Sequence, residues 1–279
     1  MREYRVGVMG WPVEHSLSPA MHNAAFAALG MGDWRYDLLP IQPDIVRQSL
    51  KILRDEGGYT GVNVTVPHKQ AVMPYVKPDE IARALGAANT IDFRDNSATN
   101  TDVAGLIDDL TANSVKLDGE SVLIIGAGGA ARAAVYGLVH AGAKVVVTNR
   151  TAERAQIMLA DLTLSAGIRS AQFKPLEEAV HDHFSLIINC TPVGMWPNVD
   201  LSPWPDGLDF PAGVTLYDMI YRPERTRLME KCESRGGRAI GGLGMLVRQG
   251  AAAFKIWTGK DAPVDVMFQA AQAALRIKK

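Results

Sequence analysis

Residues 122–150 read VLIIGAGGAARAAVYGLVHAGAKVVVTNR. Two unbroken apolar runs, VLII and KVVVT, enclose a glycine-rich turn and a helix-forming stretch. Strands that are apolar at every position, not at every second one, are strands covered on both faces, as in a parallel sheet. The segment is therefore a strand–turn–helix–strand unit of about the ~30 residues such units take. Gly126 permits a tight turn off the first strand, and Gly128 and Gly129 let backbone amides approach a ligand closely. Ala131 stands where a third glycine often sits. The free amides at the start of the following helix make a seat for a pyrophosphate. Residues Gly126, Ala127, Gly128, Gly129 and Ala130 are thus the expected cofactor loop of a Rossmann-type domain. A glycine turn kept only for packing is the bland alternative, and the flanking strand and helix argue against it.

The end of the second strand selects the cofactor. Sites for NAD place an acidic residue there, ~20 residues on, to hold a ribose hydroxyl. This chain has Asn149, Arg150 and Thr151, then Arg154 one turn into the next helix. Two guanidiniums suit a 2′-phosphate, with Asn149 and Thr151 adding hydrogen bonds. The reading is NADP; Arg154 also reads as part of a solvated helix face.

Outward from this unit, strands and helices alternate through most of the 279 residues, which predicts an α/β fold with mostly parallel sheets. YRVGVM reads as a first strand. Ser18 and Pro19 read as the cap and first turn of a helix that Gly30 closes. WRYDLL and TGVNVTV read as strands around the amphipathic helix IVRQSLKILRDE. AANTIDF and SATNT read as a hairpin about Asp95-Asn96. Toward the end, LGMLVRQGAAAFKIW and DVMFQAAQAALRI read as helices with strong apolar faces, and periodicity does not say where they pack.

Composition narrows the function classes. Hydrophobic residues make up 47% and charged residues 21%, and the formal net charge is −1. No overall field favours nucleic acid or a membrane, and no run is long enough to span a bilayer. Cys190 and Cys232 stand alone, which suits a reducing cytoplasmic setting. The histidines form no zinc-like spacing with them, so no metal is expected; His181 and His183 read as a solvated turn.

Several short polar motifs stand near strand ends, where α/β proteins bind ligands. HSLSP brings Ser16 and Ser18. NVTVPHK brings Asn63, Thr65 and Lys69, with Lys69 reading as the opening of a helix. GAANT brings Asn89, NTDVAG brings Asp102, YDMIYRP brings Tyr221, and GLGMLVRQ brings Gln249. Ser18 and Asp102 also read as plain helix caps, and Tyr221 as a structural residue.

Taken in order with GAGGAARA and NRT, these motifs resemble the shikimate dehydrogenase family from about Gly10 to Gln249. The resemblance implies reversible, NADPH-dependent reduction of 3-dehydroshikimate to shikimate. It implies that Ser16 and Ser18 bind the substrate carboxylate, and that Asn63, Thr65, Asn89, Tyr221 and Gln249 orient the substrate. Lys69 and Asp102 would form the catalytic pair and also touch substrate, and Met219 and Gly242 match positions on the nicotinamide side. It further implies that the last helices rejoin the first domain. The expected layout is a substrate-binding domain of residues 1–103 and 243–279 and an NADP-binding domain of residues 104–242. The partners expected are a small-molecule substrate only, with a monomer or homodimer as the assembly. His15 and His68 flank the motifs without a catalytic role, and Trp196 reads either as core or as packed near the cofactor. A quinate/shikimate dehydrogenase with broader substrate or NAD use shares most of these features. A lysine-dependent methylenetetrahydrofolate dehydrogenase and an inert NADP-binding regulator are more distant alternatives.

Overall fold

The first strand, β1 (Tyr4–Gly10), is buried over its last five residues without alternation, so both its faces are covered. The computed structural model describes residues 3–277. One compact unit is formed by Met1–Gly105 with Leu246–Lys279, and a second by Leu106–Met245.

In the first unit β1 is followed by α1 (Ser18–Ala28), β2 (Trp34–Pro40), α2 (Val46–Asp55), β3 (Tyr59–Val64), β4 (Lys77–Pro78), α3 (Glu80–Leu85), β5 (Thr90–Asp92) and β6 (Ser97–Thr99). Helix α4 (Asp102–Ala112) begins there. The sheet order is β2-β1-β3-β5-β6-β4. β2, β1 and β3 run parallel, while β5 and β6 form an antiparallel pair against β3. The hairpin turn is where the sequence puts it: Asn96 takes a positive φ of 62°, and Asp95 Oδ1 accepts from the Ser97 amide at 2.9 Å. Met9, Val62, Val64 and Ile91 pack with Val46 and Leu50 of α2 in one core.

The start of α1 differs from expectation. The sequence places Ser18 as the cap, but Ser18 is the first helical residue, Leu17 holds the cap position, and no side chain caps the helix. The Ser18 side chain is instead buried beside the Tyr36 phenol. Pro19, within the first turn, has no amide to satisfy.

The second unit contains β7 (Ser121–Ile125), α5 (Gly129–His140), β8 (Lys144–Thr148), α6 (Ala152–Ala166), β9 (Ala171–Phe173), α7 (Leu176–Ala179), β10 (Leu186–Asn189), β11 (Thr215–Asp218), α8 (Arg227–Ser234) and β12 (Arg238–Gly241). All strands are parallel, in the order β12-β11-β10-β7-β8-β9. The chain winds outward from β7 to β9, then crosses to β10 and winds the other way. That reversal opens a crevice at the carboxyl ends of β7 and β10, the ligand position of this topology. Leu123, Ile187 and Leu216 of the strands pack with Phe184, Phe210 and Trp204, and Trp204 Nε1 donates to the Leu208 carbonyl at 3.0 Å.

The last helices, α9 (Leu243–Thr258) and α10 (Val264–Ile277), answer the question periodicity left open. Leu246 onward belongs to the first unit, and α10 packs along α1. Trp257 of α9 is buried and donates from Nε1 to the Ile91 carbonyl at 3.0 Å. It passes so close to Gly61 that a Cβ there would lie 2.3 Å from the indole nitrogen. Phe254 joins Phe26, His22 and Tyr36 in an aromatic cluster on the same side.

Candidate active site

In the first unit, the end of β3, the start of β5 and the segment after β6 lie at one sheet edge, because β5 runs against both β3 and β6. Asn63 stands opposite Thr90 in this register, and Thr90 opposite Thr99. Asn89, just before β5, and Asp102, at the head of α4, are therefore brought beside Asn63. Lys69 is held there by its own backbone, whose carbonyl accepts from the Ala88 amide at 2.9 Å. It sits in a turn, where the sequence reads the opening of a helix; the next helical element is a short 3-10 turn at Met73–Tyr75.

Lys69 Nζ donates to Asp102 Oδ2 at 2.5 Å. Asp102 Oδ1 accepts from Asn89 Nδ2 at 2.9 Å. The lysine and aspartate side chains are 27% and 14% exposed, so the pair is sheltered but reachable. Asn89 is fixed from the other side, since its Oδ1 accepts from the Thr101 amide at 2.8 Å and from the Thr101 hydroxyl at 3.1 Å. Gln249 of α9 joins through Oε1, which accepts from Asn89 Nδ2 at 3.5 Å and lies 3.4 Å from the Thr101 hydroxyl; its Nε2 donates to the Leu246 carbonyl. Asn63 is buried and turned inward: Nδ2 donates to the Asn89 carbonyl at 3.1 Å and to Thr90 Oγ1 at 3.0 Å. Its Oδ1 accepts from the Tyr36 hydroxyl at 2.7 Å.

The remaining expected residues of this unit are Ser16 and Thr65, in loops, and Ser18, the first residue of α1. Ser16 is half-buried, and its Oγ accepts from the Ser18 amide at 3.2 Å. Ser18 is buried beside Tyr36. Thr65 is half-buried against Gly10, where a Cβ would come within 2.4 Å of the threonine methyl. Burial pushes the Tyr36 phenol well above its ordinary range, with the Ser18 hydrogen bond acting in the opposite sense, so Tyr36 stays protonated.

In the second unit, Gly126 ends β7 with φ +120° and an amide bonded to the Thr148 carbonyl at 2.8 Å. A side chain at Gly126 would press on Thr191 and Cys190, so both the turn and the space require glycine. Gly128 and Gly129 are exposed, and a Cβ on either would meet nothing within 4 Å. Gly128 caps α5, and no side chain satisfies the helix start. These features fit a dinucleotide pyrophosphate, which needs open space in front of helix amides. At the end of β8, Asn149 Nδ2 donates to the Thr151 carbonyl at 2.8 Å, and Arg150, Thr151 and Arg154 are exposed, with no acidic side chain at the strand end. That donor set fits a phosphate-bearing ribose.

Tyr221, Met219 and Gly242 also belong to this unit. Asp218 at the end of β11 is fully buried and accepts from Asn189 Nδ2, Thr226 Oγ1 and the Ile220 amide at 2.9, 2.6 and 3.2 Å. Desolvation raises its pKa, and the three donors oppose the rise. This knot shapes the Met219–Tyr221 turn. Gly242 packs on it so closely that a Cβ would lie 2.1 Å from the Met219 carbonyl oxygen. Burial raises the Tyr221 phenol, with Arg222 lowering it. Arg222 stacks over Trp196 at 4.3 Å, and Trp196 is 47% exposed, so the core reading of that residue does not hold.

Tyr36, Thr90 and Thr101 are part of the first-unit network and were not singled out from sequence. Thr90 and Thr101 do stand inside GAANT and NTDVAG, next to residues that were. Tyr36 carries no such signal, because only the register of β2 on β1 turns it inward.

Residues 8–91 match the family model described as the shikimate dehydrogenase substrate binding domain. Residues 109–193 match that of shikimate / quinate 5-dehydrogenase, and residues 242–272 that of the shikimate 5'-dehydrogenase C-terminal domain. The shikimate dehydrogenase (NADP(+)) of Methanocella arvoryzae is 44% identical over 270 residues, covering 96% of this chain and 98% of its own. Among solved structures, a shikimate dehydrogenase in complex with NADP+ superposes with a TM-score of 0.92 at 34% identity, covering 98% of this chain and 96% of its own. Shikimate 5-dehydrogenase from Thermus thermophilus, in complex with NADP(H) and shikimate, gives 0.88 at 35%, with 97% and 99% covered.

Proposed function

The chain belongs to the shikimate dehydrogenase family, and we propose that it catalyses the reversible NADPH-dependent reduction of 3-dehydroshikimate to shikimate, a step of aromatic amino-acid biosynthesis. The observation that carries this reading is the half-sheltered Lys69 ammonium held on Asp102, at a sheet edge rich in hydroxyl and amide groups. A small polyhydroxylated acid needs such partners more than it needs an apolar pocket.

When bound, the reduced nicotinamide supplies a hydride to the substrate's carbonyl carbon. Lys69 Nζ gives a proton to the carbonyl oxygen as negative charge develops on it, and regains one from solvent. In the reverse direction the neutral amine accepts the hydroxyl proton. Asp102 orients Lys69 through Oδ2, and its carboxylate accepts from a substrate hydroxyl. Ser16 and Ser18 hold the substrate carboxylate, while Asn63, Thr65, Asn89, Tyr221 and Gln249 fix the ring. Gly126, Ala127, Gly128, Gly129 and Ala130 receive the pyrophosphate. Asn149, Arg150, Thr151 and Arg154 take the 2′-phosphate, and Met219 and Gly242 flank the nicotinamide.

Two unpaired cysteines suit the reducing cytoplasm, and among the described residues no helix is long and apolar enough to cross a membrane. The assembly proposed is a monomer or a homodimer. The test is loss of NADPH absorbance with 3-dehydroshikimate, run beside 3-dehydroquinate and with NADH in each case. Fast turnover only with NADPH and 3-dehydroshikimate is expected. Comparable rates with 3-dehydroquinate or NADH would move the chain to a broader quinate/shikimate activity, and no turnover with any pair would overturn the reading.

A further inference from the structure

Thr90 and Tyr36 have no part in the roles assigned above, yet both are almost wholly buried at the site, 1% and 2% exposed. Their hydrogen bonds have a fixed direction. Asn63 Nδ2 faces the Asn89 carbonyl, which only accepts, so the amide nitrogen must be on that side. Asn89 Oδ1 faces the Thr101 amide, which only donates, so the oxygen must be on that side. Thr90 Oγ1 lies 3.0 Å from each of these two groups, accepting from Asn63 and donating its one proton to Asn89. Asn63 Oδ1 then takes the Tyr36 proton at 2.7 Å.

The bonds therefore run in one sense, from Tyr36 to Asn63, Thr90, Asn89 and finally Asp102, whose other oxygen holds Lys69. We propose that Thr90 and Tyr36 are positioning residues for the dehydrogenase reaction, fixing the Lys69–Asp102 pair through this chain; the inference rests on the function proposed above. Buried polar chains of this kind polarise and rigidify their members when every link is satisfied, and one missing link leaves a donor or acceptor stranded. Removing the Thr90 hydroxyl strands one Asn63 proton and deprives Asn89 Oδ1 of a donor. Asn89 keeps its two bonds from Thr101, so its amide shifts without turning over, and Asp102 and the presentation of Lys69 shift with it.

The experiment compares Thr90→Val, which removes the hydroxyl at nearly constant volume, with Thr90→Ser, which keeps it, and with Tyr36→Phe. Thr90→Val should lower kcat/KM for shikimate by roughly 10–100-fold, the scale of a small misplacement at a reacting centre. KM for NADP+ should stay within about threefold, and Thr90→Ser should restore activity to within about threefold of wild type. Tyr36→Phe should act in the same direction as Thr90→Val, and if Thr90→Val does not fold, Tyr36→Phe and Thr90→Ser carry the test. A folded Thr90→Val enzyme with wild-type kinetics, or a Thr90→Ser enzyme as impaired as Thr90→Val, would overturn the proposal while leaving the function intact. So would losses that fall equally on the substrate and cofactor constants. An inactive wild-type enzyme would overturn the function and this inference together.

Discussion

Replacing Asp102 with asparagine removes a charge and one acceptor while keeping the shape of the side chain. The carboxylate uses both oxygens, Oδ2 for Lys69 at 2.5 Å and Oδ1 for Asn89 Nδ2 at 2.9 Å. Asparagine has one oxygen to offer. With the oxygen toward Lys69, its NH2 group faces the NH2 group of Asn89; with the oxygen toward Asn89, its NH2 group faces an ammonium. Asn89 cannot turn over to relieve the clash, because its Oδ1 is held by the Thr101 amide at 2.8 Å. One donor–donor contact therefore survives in either orientation. A hydrogen bond to a charged group is worth ~1.5–3 kcal/mol, which at ~1.4 kcal/mol per decade is about 10–100-fold. The pair is partly open to water, with side chains 27% and 14% exposed, so the effect on folding stability falls well below that range. The loss should instead appear in turnover, as a drop of ~10²-fold in kcat, the low end for acid–base groups because Lys69 itself remains. The assay is NADPH consumption at saturating 3-dehydroshikimate, with NADPH affinity measured separately by fluorescence. A variant within about threefold of wild-type kcat would refute the reasoning, since a broken charge-assisted bond at the proton donor cannot be that silent.

Lys69→Ala should cost ~10²–10⁴ in kcat with cofactor affinity little changed; near-normal turnover in single-turnover and steady-state assays would remove Lys69 from the mechanism. Replacing Arg150 and Arg154 together with alanine should weaken NADPH binding much more than NADH binding in parallel titrations, and equal losses would rule out the 2′-phosphate assignment. His22 gives a stability prediction. Its ring is fully buried among Phe26, Tyr36, Phe254 and Trp257, neither nitrogen has a hydrogen-bond partner, and burial lowers its pKa from 6.5 to about 3. Between those values the unfolded chain binds a proton that the folded protein refuses. Stability therefore falls as pH drops through this window, by about 1.4 kcal/mol per pH unit from this group. Urea unfolding at pH 7 and pH 4.5 should show that slope in wild type and a shallower one in His22→Phe; identical slopes would count against it.

What could be read from the chain alone depended on whether a structural feature is written locally. VLII and KVVVT announce a buried parallel sheet because every residue of such a strand faces a layer of helices, and the glycine turn between them is a local backbone requirement at Gly126. The edge strands β9 and β12 carry no such mark: AQF and RAIG are short, border charged residues and are covered on fewer sides. The start of α1 misled for the opposite reason. Ser18 before Pro19 is a strong local signal for a cap, yet Ser18 lies inside the helix, buried beside Tyr36 on β2, and Leu17 holds the cap position. The same distinction runs through the site. Lys69, Asn89 and Asp102 lie in motifs whose composition is unusual enough to notice, whereas Tyr36 and Thr90 are ordinary strand residues. Only the pairing of β2 on β1 and of β5 on β3 brings them to Asn63. A hydrogen-bond chain that visits β2, β3, β5 and α4 in turn has no period or spacing in sequence. Its members are found by asking, for each buried amide and hydroxyl, which group gives the proton and which receives it.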